Sequence, residues 1–161
     1  MKTEQRAAFT PEQEKELEGW TKRFPYPIMG LIEAMRAVQD WQRHISPEAE
    51  AHLAALFNTT RSHVHGVATF FPYFTKEPTG KYRLGLCRGI SCAMAGQPRM
   101  SKCLEEKLGV GEFERSADGR FSWEEMECLG ACDHAPALLV DEELVGRADE
   151  AAVARLAKEP A

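Results

Sequence analysis

Four of the five cysteines lie in two close pairs that could hold a metal. Four residues separate Cys87 from Cys92, three separate Cys128 from Cys132, and thirty-five lie between the pairs. A glycine stands inside each pair. In a reducing compartment, four thiols that come together usually serve as metal ligands rather than as disulfides. The sequence therefore predicts a metal site with four thiolate ligands.

The spacing of the pairs favours iron and sulfur over zinc. Four thiolates can hold a [2Fe–2S] cluster, a [4Fe–4S] cluster or a structural zinc ion. Zinc ligands most often come as Cys-x-x-Cys, and both gaps in this chain are wider. A four-residue gap also occurs in plant-type ferredoxins, although the rest of that signature is absent. We therefore rank an iron–sulfur cluster first and a zinc-stabilised module second.

The residues next to the cysteines are small. Small side chains let backbone N–H groups approach sulfur, and such hydrogen bonds tune the reduction potential of a cluster. Turn geometry alone would also explain them, and both explanations can hold together. The small residues are Gly89, Ser91, Gly130 and Ala131. His134, two residues after the last cysteine, is either a bystander or a residue that tunes the potential.

Composition narrows the class of protein. The 161 residues are 43% hydrophobic and 28% charged, which is typical of a globular protein of one domain or two small ones. No apolar run approaches the length that crosses a bilayer. The polar residues 1–6 are not typical of a secretory signal. A formal charge of −5 argues against nucleic acid as the main partner. We expect a cytoplasmic protein without direct membrane insertion.

Residues 1–78 show four helical patterns that predict a small helical bundle. The first begins at the Thr10 N-cap, which Pro11 and a capping-box Gln follow. We expect the second over about residues 28–44, and Ser46 starts the third. A short fourth helix comes last. The apolar positions with helical spacing are Leu17, Trp20, Phe24, Ile28, Leu31, Ile32, Met35, Val38, Ala49, Leu53, Leu56, Phe57, Val64, Val67 and Ala68.

An aromatic segment, Phe70–Phe74, stands just before the predicted domain boundary. We favour packing of these rings between the bundle and the second domain. Docking of a partner subunit is the second interpretation, for one or two of the rings, because aromatic residues are enriched at interfaces. The turn-rich residues 76–80 then form a linker.

Residues 79–161 change to a mixed pattern. Residues 82–87 alternate and predict a strand that ends on Cys87, and residues 121–128 predict a second strand that ends on Cys128. A helix lies between them, and a hairpin and a final helix follow. The order β-α-β-β-α, with thiols on loops at strand ends, predicts a small thioredoxin-like α/β domain. The whole chain is thus predicted to be α+β.

Two helices complete this domain. The helix between the strands ends at Gly109, and its apolar face includes Cys103. Because a free cysteine often behaves as a small buried hydrophobe, we assign Cys103 to the core and not to the metal site. Asp149 is the predicted cap of the last helix, which carries Val153 and Leu156.

Six stretches in one order resemble a known family. They are Ile45–Pro47, Val64–Phe70, Pro78–Tyr82, Cys87–Cys92, Ala117–Phe121 and Glu127–Cys132 with the following Ala135–Pro136. The sequence resembles the small thioredoxin-like [2Fe–2S] subunit of NADH dehydrogenases, found in respiratory complex I. It is similar also to domains of NAD-linked formate dehydrogenases and of NAD-linked or bifurcating hydrogenases. The loop 87–92 and the ending 140–147 look somewhat closer to these last two groups.

The resemblance implies a cofactor, ligands and partners. It implies a [2Fe–2S] cluster held by Cys87, Cys92, Cys128 and Cys132. It implies an electron-transfer subunit of an NADH:quinone oxidoreductase, next to a flavoprotein that binds FMN and NADH and a larger iron–sulfur subunit. In this view the helical region helps to anchor the subunit, and the complex is peripheral to the inner membrane.

Other classes of function fit the sequence less well. Residues 47–70 could form a helix-turn-helix of a redox-sensing regulator, but the second helix offers only Arg61, His63 and His65. A dithiol oxidoreductase would need Cys-x-x-Cys at a helix N-terminus. The chain shows no dinucleotide-binding glycine fingerprint, no Walker motif and no nucleophile–base pair. We therefore expect activity only within a complex.

Overall fold

The computed structural model describes residues 9–158. Contacts within the chain define two compact units, Met1–Pro78 and Thr79–Ala161. The polar N-terminal residues, from which we expect no secretory signal, lie outside the described residues. Among the described helices, none combines the length and the apolar character that crossing a bilayer requires.

Helix α1 spans Pro11–Lys22 and starts with the predicted capping box. The Thr10 hydroxyl accepts a hydrogen bond from the backbone N–H of Gln13 at 3.3 Å, and the Gln13 side chain accepts one from the Thr10 N–H at 2.9 Å. The helix ends two residues before Phe24, so Phe24 is not on its apolar face as predicted. Proline follows Phe24, and a residue before proline disfavours the helical conformation.

The second predicted helix is two elements. A 3-10 helix spans Pro27–Gly30, and helix α2 spans Leu31–Gln42. A Cβ atom at Gly30 would overlap the carbonyl oxygen of Trp20, so the chain passes α1 there at backbone contact. The helix ends at Gln42, and the capping residue Arg43 has a left-handed φ of 62°. The tight turn around Gly30 is the reason that the start at residue 28 was wrong.

Helices α3, Pro47–Leu56, and α4, Arg61–Phe70, begin at the side-chain caps Ser46 and Thr60. The buried core of this unit draws on all four helices. Its members are Leu17, Leu31, Ala34, Met35, Val38, Ile45, Ala49, Leu53, Ala54, Phe57, Val64, Ala68 and Phe74. Within the aromatic segment, Phe74 thus belongs to the core of the helical unit, whereas Phe70 is exposed.

A buried carboxylate joins α3 to α4. One oxygen of Glu50 accepts a hydrogen bond from Arg61 Nε at 3.1 Å, and the other lies 2.6 Å from His65 Nδ1. Both oxygens of Glu50 are therefore satisfied, as a buried charge requires.

The second unit is built on a four-stranded sheet in the order β2-β1-β3-β4. The strands are Tyr82–Cys87, Phe121–Met126, Leu138–Val140 and Glu143–Val145 in chain order. Strand β1 pairs in parallel with β2 and antiparallel with β3, and β3 pairs antiparallel with β4. Strand β1 therefore lies in the interior of the sheet.

Three helices accompany this sheet: α5 at Ile90–Met94, α6 at Gln97–Leu108 and α7 at Glu150–Lys158. Helix α6 is capped by Gly109, as predicted, and the φ of this glycine is 64°. The Asp149 carboxylate accepts the backbone N–H three residues further on at 2.7 Å, which confirms the predicted cap of α7.

The core of the second unit lies between the sheet and helices α6 and α7. Its buried residues are Leu84, Leu86, Met100, Cys103, Leu104, Val110, Phe121, Trp123, Leu138, Ala148 and Val153. The predicted place of Cys103 in the core is confirmed, and burial raises the pKa of its thiol. The α+β architecture predicted from the sequence is confirmed.

Two glycines of the helical unit should respond in opposite ways to the same substitution. Gly30→Ala should destabilise the protein by about 1–3 kcal/mol, because the new methyl meets fixed backbone of α1. Gly66→Ala, inside α4 with no atom near the new Cβ, should stabilise it by about 0.5–1 kcal/mol. Urea unfolding of the two variants measures both changes, and equal stabilities would contradict the packing of Gly30.

Candidate metal centre

The first cysteine of each pair is placed by the two parallel strands. Cys87 is the last residue of β1 and lies opposite Met126, the last residue of β2. The N–H of Arg88 donates to the Met126 carbonyl at 3.0 Å and continues the ladder past both strands. The prediction that β2 extends to Cys128 was wrong by two residues. Both strands still end at one edge of the sheet, as parallel pairing requires.

The second cysteine of each pair lies in a short helical turn rather than on a loop. Cys92 is the middle residue of α5, and Cys132 begins the 3-10 helix Cys132–His134. A helical turn advances only about 1.5–2 Å per residue, against about 3.3 Å for extended chain. The turn of α5 therefore keeps the Cys92 thiol near that of Cys87. The 3-10 helix begins only at Cys132, so the chain from Cys128 to Cys132 is a loop, as predicted.

The four predicted thiols share one neighbourhood. The Cys87 thiol interacts with those of Cys92 and Cys128, and the Cys92 thiol is influenced by Cys132. Cys87 and Cys92 are each 2% exposed, whereas Cys128 and Cys132 are exposed. The buried pair packs in a small apolar cluster whose other members are Ala131 and Ala137, with Leu129 and Ala135 against it.

Backbone N–H groups converge on the first sulfur. Burial tends to raise the pKa of the Cys87 thiol, but the N–H groups of Leu129 and Gly89 hydrogen-bond to the sulfur. Contacts with Cys92 and Cys128 add to this, and the net pKa is lowered. Since hydrogen bonds to the charged form favour it, this site is prepared for a thiolate. A thiolate is the form that binds metal.

The Cys92 thiol differs from that of Cys87, because its pKa is raised. Burial raises the pKa of Cys92, and interaction with Cys87 and Cys132 raises it further, although the Ala137 N–H opposes the change. Neighbouring thiolates repel one another, so they do not ionise together without positive charge between them. The chemistry of this donor set therefore fits a cationic metal centre.

Two glycines shape the loops at the thiols. The N–H of Gly130 donates to Cys128 Sγ at 3.5 Å, and its φ is 76°, a left-handed conformation. A Cβ atom on Gly89 would lie 3.5 Å from both Cys87 Sγ and Cys128 Sγ. Gly89 thus leaves open the space beside two of the sulfurs. The N–H groups of Gly89 and Gly130 both bond to sulfur, which confirms this part of the expectation.

Two N–H donors were missed at the sequence level. Leu129 and Ala137 contribute through the backbone alone, and neither side chain type signals such a role. Within residues 9–158, no group of three or more His, Cys, Asp or Glu side chains is arranged to hold a metal ion. The four thiols are therefore neighbours, and their proximity does not by itself assign them as ligands.

His134 is held on two sides. Its Nδ1 lies 2.9 Å from the Asp133 carboxylate, and this hydrogen bond lowers the pKa of Asp133. The His134 carbonyl accepts the Arg147 N–H at 2.6 Å, and a Cβ on Gly146 would collide with the His134 side chain. The histidine therefore ties the loop after Cys132 to the segment that follows β4.

The architecture and the four neighbouring thiols agree with a match to a family model. Residues 17–160 match the model of the thioredoxin-like [2Fe–2S] ferredoxins. The chain belongs to this family. A [2Fe–2S] cluster is accordingly its cofactor. The family match thus identifies the cluster type, which the cysteine spacing left open, and favours the cluster over the zinc alternative.

Comparison with individual proteins gives the same result. NADH-quinone oxidoreductase subunit 2 of Thermus thermophilus is 41% identical over 122 residues, which are 73% of this chain and 67% of that protein. The NADP-reducing hydrogenase subunit HndA of Solidesulfovibrio fructosivorans is 26% identical over 145 residues, 90% of this chain and 85% of that protein. The relatives are thus subunits of oxidoreductase complexes.

A solved structure supports the fold. An NAD⁺-reducing [NiFe]-hydrogenase in the H₂-reduced state superposes with a TM-score of 0.67 and 23% identity over 80% of this chain. The chain covers only 22% of that hydrogenase chain. At this identity, the likeness shows a shared architecture.

A matched pair of glycine substitutions tests the loop geometry. Gly130→Ala and Gly109→Ala both place a methyl at a left-handed φ, 76° and 64°, with no atom near it. Each should cost about 1–2 kcal/mol of stability. Only Gly130→Ala should also lower the iron retained per chain, because its N–H bonds the Cys128 sulfur. Iron analysis after gel filtration measures this, and equal retention in both variants would contradict it.

Proposed function

We propose that this chain is the [2Fe–2S] electron-transfer subunit of an NADH:quinone oxidoreductase. It would exchange single electrons with the FMN of a partner subunit that binds NADH. The observation that carries the proposal is the family match together with four thiols in one neighbourhood. The 41% sequence identity to subunit 2 of the Thermus NADH-quinone oxidoreductase supports this type of complex.

We propose Cys87, Cys92, Cys128 and Cys132 as the cluster ligands. When bound, the cluster supplies a centre that takes up and releases one electron. The chain's own part is to deliver thiolates and to stabilise their charge with N–H groups. Such hydrogen bonds make an added electron more favourable and so raise the reduction potential. Burial of Cys87 and Cys92 excludes water from one side of the site.

A subunit of this kind acts through partners. The proposed partners are the flavoprotein that binds FMN and NADH and a larger iron–sulfur subunit of the same complex. A second candidate function is the equivalent subunit of an NAD(P)-linked hydrogenase, since HndA aligns with 90% of this chain. The same subunit of an NAD-linked formate dehydrogenase remains part of that alternative.

The helix-turn-helix regulator is less favourable on structural grounds. Of the three cationic or titratable side chains on α4, Arg61 and His65 are both bonded to Glu50. Phosphate binding would have to compete with this buried carboxylate. The helices α3 and α4 instead contribute their apolar faces to the bundle core.

Two exposed apolar side chains offer a surface for the flavoprotein. Ile90 and Met94 are 83% and 85% exposed. They are the first and last residues of α5, two positions before and after Cys92 in the sequence. Electron exchange requires the partner to come close to the cluster. Because large exposed apolar side chains mark interaction sites, we propose that the flavoprotein contacts this helix.

Cysteine substitutions with an internal control test the ligand proposal. Serine at any one of the four proposed ligands should abolish or strongly reduce the cluster, because a thiolate is lost. Cys103→Ser should leave it intact, since Cys103 lies in the apolar core. Visible and EPR spectra of anaerobically purified protein, before and after dithionite, measure the result. A colourless wild-type protein with one bound zinc would overturn the electron-transfer function.

Aspartate substitutions test the docking surface. The double variant Ile90→Asp, Met94→Asp should lose co-purification with the flavoprotein while its cluster spectrum is unchanged. Leu144→Asp is the matched control, because Leu144 is also an exposed apolar residue but lies on β4. Co-expression with the tagged flavoprotein subunit measures retention. Retention of the double variant at the wild-type level would contradict the proposed surface.

A further inference from the structure

One ion pair lies beside the proposed cluster site. Arg88 follows Cys87, and Glu127 precedes Cys128, so the pair links the first residues after β1 and β2. The Arg88 N–H bonds to the Met126 carbonyl at 3.0 Å, which holds the two segments side by side. The Arg88 guanidinium donates to the Glu127 carboxylate. This charge pair is thus adjacent in sequence to one cysteine of each pair.

The surroundings of Arg88 are acidic. Its pKa is raised first by the hydrogen bond to Glu127 and the charge of that carboxylate, and further by Glu125 and Glu112. Glu125 is fixed there, because it accepts from Gln97 Nε2 at 2.7 Å and donates its N–H to Glu112 at 2.9 Å. The charge of Arg88 therefore interacts with those of three carboxylates, of which Glu127 is in direct contact.

A structural role explains little of this arrangement. Side-chain exposure is 54% for Arg88 and 78% for Glu127. Exposed ion pairs contribute little to folding stability, because water screens them and the side chains lose freedom. Charge acts differently on a redox centre. Reduction adds one electron and hence one negative charge, which nearby carboxylates disfavour and a nearby cation favours.

We propose that Arg88 sets the reduction potential of the cluster by offsetting the negative charge of Glu127, Glu125 and Glu112. It acts through its charge and does not bind the cluster. This inference rests on the proposed function, since it takes Cys87 and Cys128 as ligands. The electron comes from the flavin of the partner subunit, or from dithionite in solution, and the cluster is the species reduced.

The direction in which the reduction potential shifts distinguishes an effect of charge from an effect of loop geometry. Arg88→Gln removes the cation and should lower the potential. Glu127→Gln removes a carboxylate and should raise it. Arg88→Lys should stay near wild type, and the double variant Arg88→Gln, Glu127→Gln should fall between the two single variants. If the pair only held the loops in place, both single variants would shift the potential in the same direction.

An EPR-monitored redox titration of the cluster-containing protein measures these shifts, with iron content and visible spectrum showing that the cluster is intact. Arg99→Gln is the control, because Arg99 also forms an exposed ion pair, with Glu150 on helices α6 and α7. It should leave the potential close to wild type. Opposite shifts for Arg88→Gln and Glu127→Gln support the proposal.

Two results overturn it. The first is that Arg88→Gln and Glu127→Gln shift the reduction potential in the same direction or not at all. The second is that Arg99→Gln shifts the potential as much as Arg88→Gln does. Wild-type protein that shows no [2Fe–2S] signal would instead overturn the proposed function and this inference with it.

Discussion

The parallel pairing of β1 with β2 is the constraint on which the proposed metal site depends. Parallel strands end at the same edge, and the register sets Cys87 opposite Met126. A slip of one residue would turn the side chains of one strand to the other face of the sheet. The buried residues Leu84, Leu86 and Trp123 hold this register, because such a slip would remove side chains from the core that they share. The hydrophobic core thereby fixes where the cysteines stand.

Backbone N–H groups, rather than charged side chains, contact the buried sulfurs. The N–H groups of Gly89, Leu129 and Ala137 bond to sulfur in the buried part of the site. A backbone dipole carries no counter-charge to desolvate and does not titrate, so its interaction with a thiolate does not itself change with pH. Full charges are kept to the exposed rim, where Arg88 and Asp133 lie.

Sequence and structure agree where a pattern is long or chemically distinctive. The alternation of Tyr82–Cys87 was enough to place one strand, and the cysteine spacing was enough to predict that the four thiols are neighbours. Helix α5, Ile90–Met94, is too short for a periodic signal, so Cys92 was expected on a loop. The backbone donors at Leu129 and Ala137 leave no mark in side-chain type. Gly30 was hidden within a pattern that otherwise fits one continuous helix.

Because the four thiols are unevenly buried, oxidants from solvent reach two of them more easily than the other two. Cys87 and Cys92 are shielded by the small apolar cluster, whereas Cys128 and Cys132 face solvent. Thiolate oxidation follows accessibility, so oxygen and peroxide meet the second pair first. Damage to this protein would then begin at Cys128 and Cys132, the two thiols that solvent reaches. A partner seated over the exposed thiols would act as a shield against oxidants as well as a route for electrons.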